Sequence, residues 1–242
     1  MSQSEVRLWQ QLMRAENPGP AESGNEYHLR EEICRTGKEM DESGLALFLG
    51  VYAPGNFSAR TPGSARVLIT PTGLPKGSLN PEDLPVVDLR GKKIEGRLRP
   101  SIETPMHCSI YRRRPDVNGI VHAHSPMAMA YAVTNQEIRP TIIELAGVNG
   151  GPVPVARYAR SSTEELGEVT AEALGFGNAV IMQNHGLVAV GGTVRDAFHN
   201  ALAVEYTAMV NIYGKIVGNL VELRPEEVRA VRKYVLEDYG QR

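Results

Sequence analysis

The feature that most constrains this chain is the stretch Gly119-Ile120-Val121-His122-Ala123-His124-Ser125, an apolar run leading into two histidines spaced i, i+2. Side chains alternate faces along a strand, so His122 and His124 are expected to point the same way. Two readings are open. The imidazoles, side by side, begin a metal site, or they are partly buried, hydrogen-bonded members of an ordinary strand. Both place a strand here, and the rest of the chain has to supply its neighbours.

Upstream, Val6, Leu8, Trp9, Leu12 and Met13 form an apolar stripe over residues 4–15, which predicts a short helix. A breaker-rich linker follows from Asn17 to Asn25. Residues 1–25 therefore read as an N-terminal extension and 26–242 as one domain. His28 to about Ser43 reads as a helix, and Leu45 to Leu49 as a buried strand or its continuation. Val67 to Thr70 is expected as a strand, and Leu84–Leu89 with Lys92–Gly96 as a hairpin. Glu103 to Arg113 reads as a helix with Pro105 in its first turn. A further helix opens at Pro126 and runs through Tyr131, which is expected only to pack. Val153 to Ala156 is extended, and Pro154 suggests an edge. Ser162-Thr163-Glu164-Glu165 reads as a capping box for a helix closing at Gly175. Two strands, Ala179–Gln183 and Leu187–Val190, precede helices over Asp196–Val217 and Pro225–Glu237. Adjacent strand pairs are frequent between the helices. That favours an α/β, three-layer arrangement with a mixed, mainly antiparallel sheet over a doubly wound parallel one.

Composition excludes several classes. The 242 residues are 42% hydrophobic and 22% charged, with a net charge of −2 and no long run of one sign. Neither a nucleic-acid nor a membrane partner is expected. Cys34 and Cys108 match no metal or redox spacing and fit buried thiols in a reducing compartment. The N-terminus has no apolar h-region, so a cytoplasmic location is expected.

Two further residues bear on the histidine pair. His185 lies between two apolar strands, and Gly186 after it permits close backbone approach. Glu103 begins the helix that precedes the histidine strand. Alone, His185 reads as a turn histidine and Glu103 as a first-turn glutamate favoured by the helix dipole. Together, three histidines and one carboxylate complete a tetrahedral set for zinc or a similar divalent ion.

Five short motifs occur in order: Gly55-Asn56-Phe57-Ser58, Ile69-Thr70-Pro71-Thr72-Gly73, Glu103-Thr104-Pro105-Met106-His107, Val121-His122-Ala123-His124 and Gln183-Asn184-His185-Gly186-Leu187. This order resembles the class II aldolase/adducin family over roughly residues 27–240, most like its ketose 1-phosphate aldolases. The resemblance implies His122, His124 and His185 as metal ligands. It implies Glu103 as the catalytic acid/base that can also bind the resting metal, and Asn56, Thr72, Gly73 and Ser101 as phosphate-binding residues. Tyr239 resembles a tyrosine reaching into a neighbouring subunit's site, in a homotetramer with sites between subunits. The implied cofactor is Zn2+, with Mn2+, Co2+ or Fe2+ as alternatives. The implied reaction is aldol cleavage of a small hydroxyketone through an enediolate held by the ion.

Two departures stand out. The family's sugar-phosphate aldolases carry two serines before the glutamate, and this chain has Ser101-Ile102. They also carry a tyrosine in the stretch that here reads Arg139-Pro140-Thr141-Ile142-Ile143-Glu144-Leu145. Both suit a reaction needing an enolate but no proton shuttle to an aldehyde, which makes metal-dependent decarboxylation the alternative. Epimerase and dehydratase readings rank lower. A non-catalytic, adducin-like interaction module would have no need of all four of His122, His124, His185 and Glu103.

Overall fold

The computed structural model describes residues 26–43, 45, 54–61 and 63–239. The predicted helix at 4–15, its linker and all but the first residue of 45–49 lie outside these residues.

The elements run α1 (Glu26–Ser43), β1 (Asn56–Arg60), β2 (Arg66–Ile69), β3 (Val86–Asp88), β4 (Lys93–Glu95), α2 (Thr104–Arg113), β5 (Gly119–Ala123), α3 (Pro126–Thr134), α4 (Ile143–Asn149), β6 (Val155–Ala156), α5 (Glu164–Leu174), β7 (Ala179–Met182), β8 (Gly186–Gly191), α6 (Val194–Val217) and α7 (Pro225–Glu237). The strands form one sheet in the order β4-β3-β2-β1-β5-β8-β7-β6. Every pairing is antiparallel except β6 with β7. The histidine strand β5 thus lies in the middle, between β1 and β8.

Period-2 alternation divides the core into two layers. Phe57, Leu68, Val121, Ala123, Ile181 and Leu187 face one cluster, with Ile33 and Met40 of α1 and Phe198 and Val204 of α6. Ile69, Ile120, Val180 and Val188 face the other, with Met106, Ile110 and Tyr111 of α2 and Leu166 and Leu174 of α5. Helix, sheet and helix make three layers, as the pattern predicts. His122 follows Ile120 by two residues, so it projects into the α2 layer.

Several boundaries shift for physical reasons. The α5 N-cap is Thr163, whose hydroxyl accepts from the Leu166 N–H at 3.2 Å. Ser162, expected to open a capping box, instead adopts φ +67°. A capping box does lie on α6, where Thr193 and Asp196 exchange hydrogen bonds of 3.0 Å. Helix α3 continues past Tyr131 and stops at Asn135 in the left-handed region, φ +52°. Helix α4 lies in a stretch whose short, weak pattern gave no element. Cys34 and Cys108 are both buried free thiols, and burial pushes each up to about 11. Among the described residues no helix is long and apolar enough to cross a membrane.

Candidate metal centre

Three local devices converge on one point. His122 is the fourth residue of β5 and His124 lies just beyond its end, where the chain turns into α3. His185 sits in the tight turn between β7 and β8, its N–H donating to the Met182 carbonyl at 3.0 Å. The turn closes through Asn184 at φ +56°, a conformation that asparagine tolerates better than most residues. Gly186 is needed for packing. A Cβ there would stand 2.6 Å from the Ala123 carbonyl oxygen and 3.0 Å from His122 Cε1. The ring centroids of His122, His124 and His185 lie 4.8, 4.9 and 5.2 Å apart. One nitrogen from each falls within 4.8 Å of the others.

Glu103 is the N-cap of α2, yet its side chain does not cap the helix. It reaches into the histidine cluster instead. Oε2 lies 3.1 Å from His122 Nε2 and accepts from Asn56 Nδ2 at 3.0 Å. Oε1 lies 3.1 Å from His185 Nε2 and accepts from Ser161 Oγ at 2.8 Å. Each carboxylate oxygen therefore meets one histidine and one neutral donor. Burial alone would raise the Glu103 pKa, but His122 and then His185 hold it far below the usual carboxylate range. His124 is pushed down to about 3, first by burial and then by His122 and His185, so its ring is neutral.

The donor set can be tested for a cation by counting protons. His122 Nδ1 lies 2.9 Å from the Leu187 carbonyl oxygen, which can only accept, so Nδ1 carries the hydrogen. A neutral ring then has a bare lone pair on Nε2. That lone pair faces an anionic oxygen at 3.1 Å and the Nε2 of His124 at 3.0 Å. Electron pairs this close need a positive charge among them, either a proton on one of the rings, which is what holds Glu103 ionised without an ion, or a cation between them. A divalent ion fits, and the Nδ1–carbonyl bond is the outer-shell contact that orients metal-ligating histidines.

The residues expected to hold phosphate are brought together beside Glu103. The chain after β2 runs against the segment before α2: Pro71 bridges Pro100, and the Ser101 N–H donates to the Thr70 carbonyl at 3.0 Å. The Thr72 N–H donates to the Arg99 carbonyl, and Gly73 turns at φ +75° with nothing within 4 Å of where a Cβ would stand. The Ser101 hydroxyl accepts from the Glu103 N–H at 3.2 Å. Asn56 pairs with His122 across β1 and β5, and its amide is engaged at both ends, by Glu103 and by His107. Tyr239 stands apart from this group. It is 65% exposed, with its ring 6.0 Å from that of Tyr234 and its N–H on the Tyr234 carbonyl.

Sequence reasoning missed three groups. Ser161 lies 58 positions from Glu103 in a loop, with no local signal. His107 stands one helical turn after Glu103, a spacing that was legible. Glu205 of α6 accepts from the Met127 and Ala128 N–H groups at 2.8 Å each, capping α3 directly after His124.

The chain and its fold have known relatives. A family model described as the class II aldolase and adducin N-terminal domain matches residues 31–212. The 5-deoxy-D-ribulose 1-phosphate aldolase of Bacillus thuringiensis serovar kurstaki is 35% identical over 212 residues, covering 88% of this chain and 97% of its own. The L-fuculose phosphate aldolase of Escherichia coli K12 is 33% identical over 214 residues, covering 88% and 96%. A solved L-fuculose 1-phosphate aldolase superposes with a TM-score of 0.80 at 31% identity, covering 85% of this chain and 95% of its own.

Proposed function

This chain belongs to the class II aldolase and adducin family and is an aldolase-type lyase, and from that premise we propose that it cleaves a small phosphorylated hydroxyketone, a ketose 1-phosphate, with Glu103 as acid/base. The observation that carries this reading is the convergence of His122, His185, Asn56 and Ser161 on the two oxygens of one buried carboxylate.

His122, His124 and His185 would hold the divalent ion, with Glu103 as a resting ligand. When bound, such an ion supplies Lewis-acid stabilisation of the negative charge that develops on substrate oxygens. Zinc is the first candidate for a set of three imidazoles, with manganese, cobalt and iron as alternatives. In the cleavage direction the bond between the carbon next to the ketone and the carbinol carbon breaks. The carbinol leaves as an aldehyde and its hydroxyl loses a proton. The electron pair stays next to the ketone, and Glu103 delivers a proton to that carbon. In the aldol direction Glu103 removes it. Substrate entry has to loosen the grip of the histidines on the carboxylate, since the resting contacts favour the anion.

The substrate phosphate would rest on the hydroxyls of Thr72 and Ser101 and on the turn at Gly73, whose positive φ is the setting of an anion nest; the Thr72 and Ser101 N–H groups are already spent on the Arg99 and Thr70 carbonyls. Asn56 has a second N–H to contribute there. The carbinol's hydroxyl proton needs a separate acceptor as the aldehyde forms. Tyr239, exposed just beyond the end of α7, would relay it from a second copy of the chain in a homotetramer with sites between subunits, passing its own phenolic hydrogen to solvent as it takes up the carbinol's. Removing residues 238–242 should then lower turnover while metal content stays, and an unchanged rate would remove Tyr239 from the reaction.

A second reading, decarboxylation of a hydroxy or keto acid, has one observation behind it. Ile102 beside Glu103 is 62% exposed where a phosphate-binding hydroxyl would be expected. The decisive experiment offers metal-loaded protein a panel of ketose 1-phosphates and β-keto or aromatic hydroxy acids, scoring aldehyde against CO2. Aldehyde release that chelation abolishes, and that Glu103→Gln loses while retaining metal, is the expected result. CO2 release would replace the aldolase reading by the second one.

A further inference from the structure

Behind the carboxylate runs a line of buried hydrogen bonds that the reaction above leaves unused. His107 of α2 is fully buried. Its Nε2 lies 2.5 Å from Asn56 Oδ1 and its Nδ1 lies 2.6 Å from Ser58 Oγ. Ser58 Oγ lies 2.8 Å from the Tyr111 hydroxyl, which is also 3.0 Å from the Ser58 carbonyl oxygen.

The proton on every member can be assigned. An ionised Glu103 only accepts, so Asn56 meets it with Nδ2–H. Asn56 Oδ1 then faces His107, which has to donate from Nε2. A neutral imidazole protonated at Nε2 has a bare Nδ1, so the Ser58 hydroxyl donates into it. Ser58 has then spent its one proton, and its oxygen can only accept from Tyr111, whose single O–H is shared between Ser58 Oγ at 2.8 Å and the Ser58 carbonyl at 3.0 Å. The line runs in one direction, from Tyr111 to Glu103. Burial, with His122 second, keeps the His107 ring neutral, as this count requires.

We propose that His107 is a positioning residue for the reaction: by donating to Asn56 Oδ1 it locks the amide with Nδ2 toward Glu103, so that the carboxylate keeps its orientation toward substrate. The two ends of an asparagine amide are nearly alike in shape. Without a donor on Oδ1, nothing but the carboxylate decides which end faces it, and a flipped amide would set oxygen against oxygen. This inference rests on the reading of Glu103 as acid/base.

The test compares His107→Leu with His107→Gln, using the ketose 1-phosphate cleaved fastest in the panel. Gln presents an N–H near the original Nε2, and Leu does not. Expected is an about 10- to 100-fold fall in kcat for Leu, typical of lost outer-shell contacts. KM and metal content should stay unchanged, and Gln should restore most of the rate. A folded, metal-loaded Leu variant with normal kcat would overturn the proposal. So would equal losses in both variants, which would assign His107 to packing.

Two measurements hold even where Leu fails to fold. 15N NMR of the metal-free wild type should show His107 protonated at Nε2 and bare at Nδ1, and the opposite tautomer would overturn the proposal. Ser58→Ala, which removes the donor to Nδ1 and frees the ring to exchange tautomers, should lower kcat at constant KM; an unchanged kcat would count against the line. In a Glu103→Gln background, His107→Leu should cost nothing more. Full activity of Glu103→Gln itself would instead refute the acid/base reading and leave the NMR assignment standing.

Discussion

At the scale of single residues, the site depends as much on what is missing as on what is present. Gly186 has no side chain where the Ala123 carbonyl and the rings of His122 and His124 converge. Gly186→Ala puts a methyl carbon 2.6 Å from that carbonyl oxygen, closer than backbone atoms tolerate. The strand end has to move, and the two histidines move with it. A stability loss of about 1–3 kcal/mol is expected from such overpacking, together with weaker metal binding. Denaturant unfolding and metal titration of the variant check both, and wild-type values would mean the turn relaxes at no cost. Most of this was legible. The HxH spacing, the Asn184-His185-Gly186 turn and Glu103 can all be picked out along the chain, because strand alternation and turn chemistry are local rules. Ser161 could not be, since nothing near a loop serine indicates that its hydroxyl will meet a carboxylate 58 positions away.

At the scale of elements, the histidines are held by the ends of strands and helices rather than by their middles. Helix α3 begins with Ser125 as N-cap, but the serine side chain makes no cap. Pro126 has no N–H, so the first orphan donors are Met127 and Ala128. Both go to Glu205, one to each oxygen. A carboxylate is the best partner for a helix N-terminus, and this one fixes the segment that carries His124. Glu205→Gln keeps one acceptor and turns a donor toward the other N–H. The expected cost is about 1 kcal/mol in stability, with a further loss of metal affinity because His124 gains freedom. Thermal unfolding and metal titration read the two effects. Unchanged metal affinity beside lowered stability would limit Glu205 to capping. The same scale explains why Thr163 rather than Ser162 became the N-cap: Ser162 is taken up by a left-handed turn at φ +67°, a tertiary demand that the four-residue pattern does not contain.

At the scale of the molecule, burying the site leaves a trace in acid stability. His107 and His124 both have folded pKa values of about 3, set first by burial, against the ordinary 6.5. Below pH 6.5 the unfolded chain therefore binds protons that the folded one refuses. Stability rises with pH wherever the unfolded state holds more protons. The contribution is complete above about pH 6.5 and is lost as pH falls toward 3. Glu103, also depressed, acts in the same direction but only from its ordinary value of 4.5 downward. Metal-free protein should thus weaken between about pH 6.5 and 5, each histidine contributing a slope of about 1.4 kcal/mol per pH unit at most. His107→Gln should remove one of the two contributions. Urea unfolding over this range tests it, and equal slopes in wild type and variant would mean that His107 titrates normally in the fold.

The sequence by itself determined most of the elements and the residues of the candidate site. Period-2 runs separated by amphipathic helices dictate a mainly antiparallel sheet between helical layers, and three histidines with one glutamate mark the candidate site. These follow from rules that reach only a few residues along the chain. The tertiary structure alone decided which donors hold the carboxylate. Asn56 and Ser161 reach Glu103, His107 reaches Asn56, and the Leu187 carbonyl reaches His122 only after β1, α2, the loop before α5 and β8 have packed around β5. Those contacts join positions 47 to 65 residues apart, and no local pattern encodes a hydrogen bond at that separation, because the geometry that makes it exists only once the layers have closed.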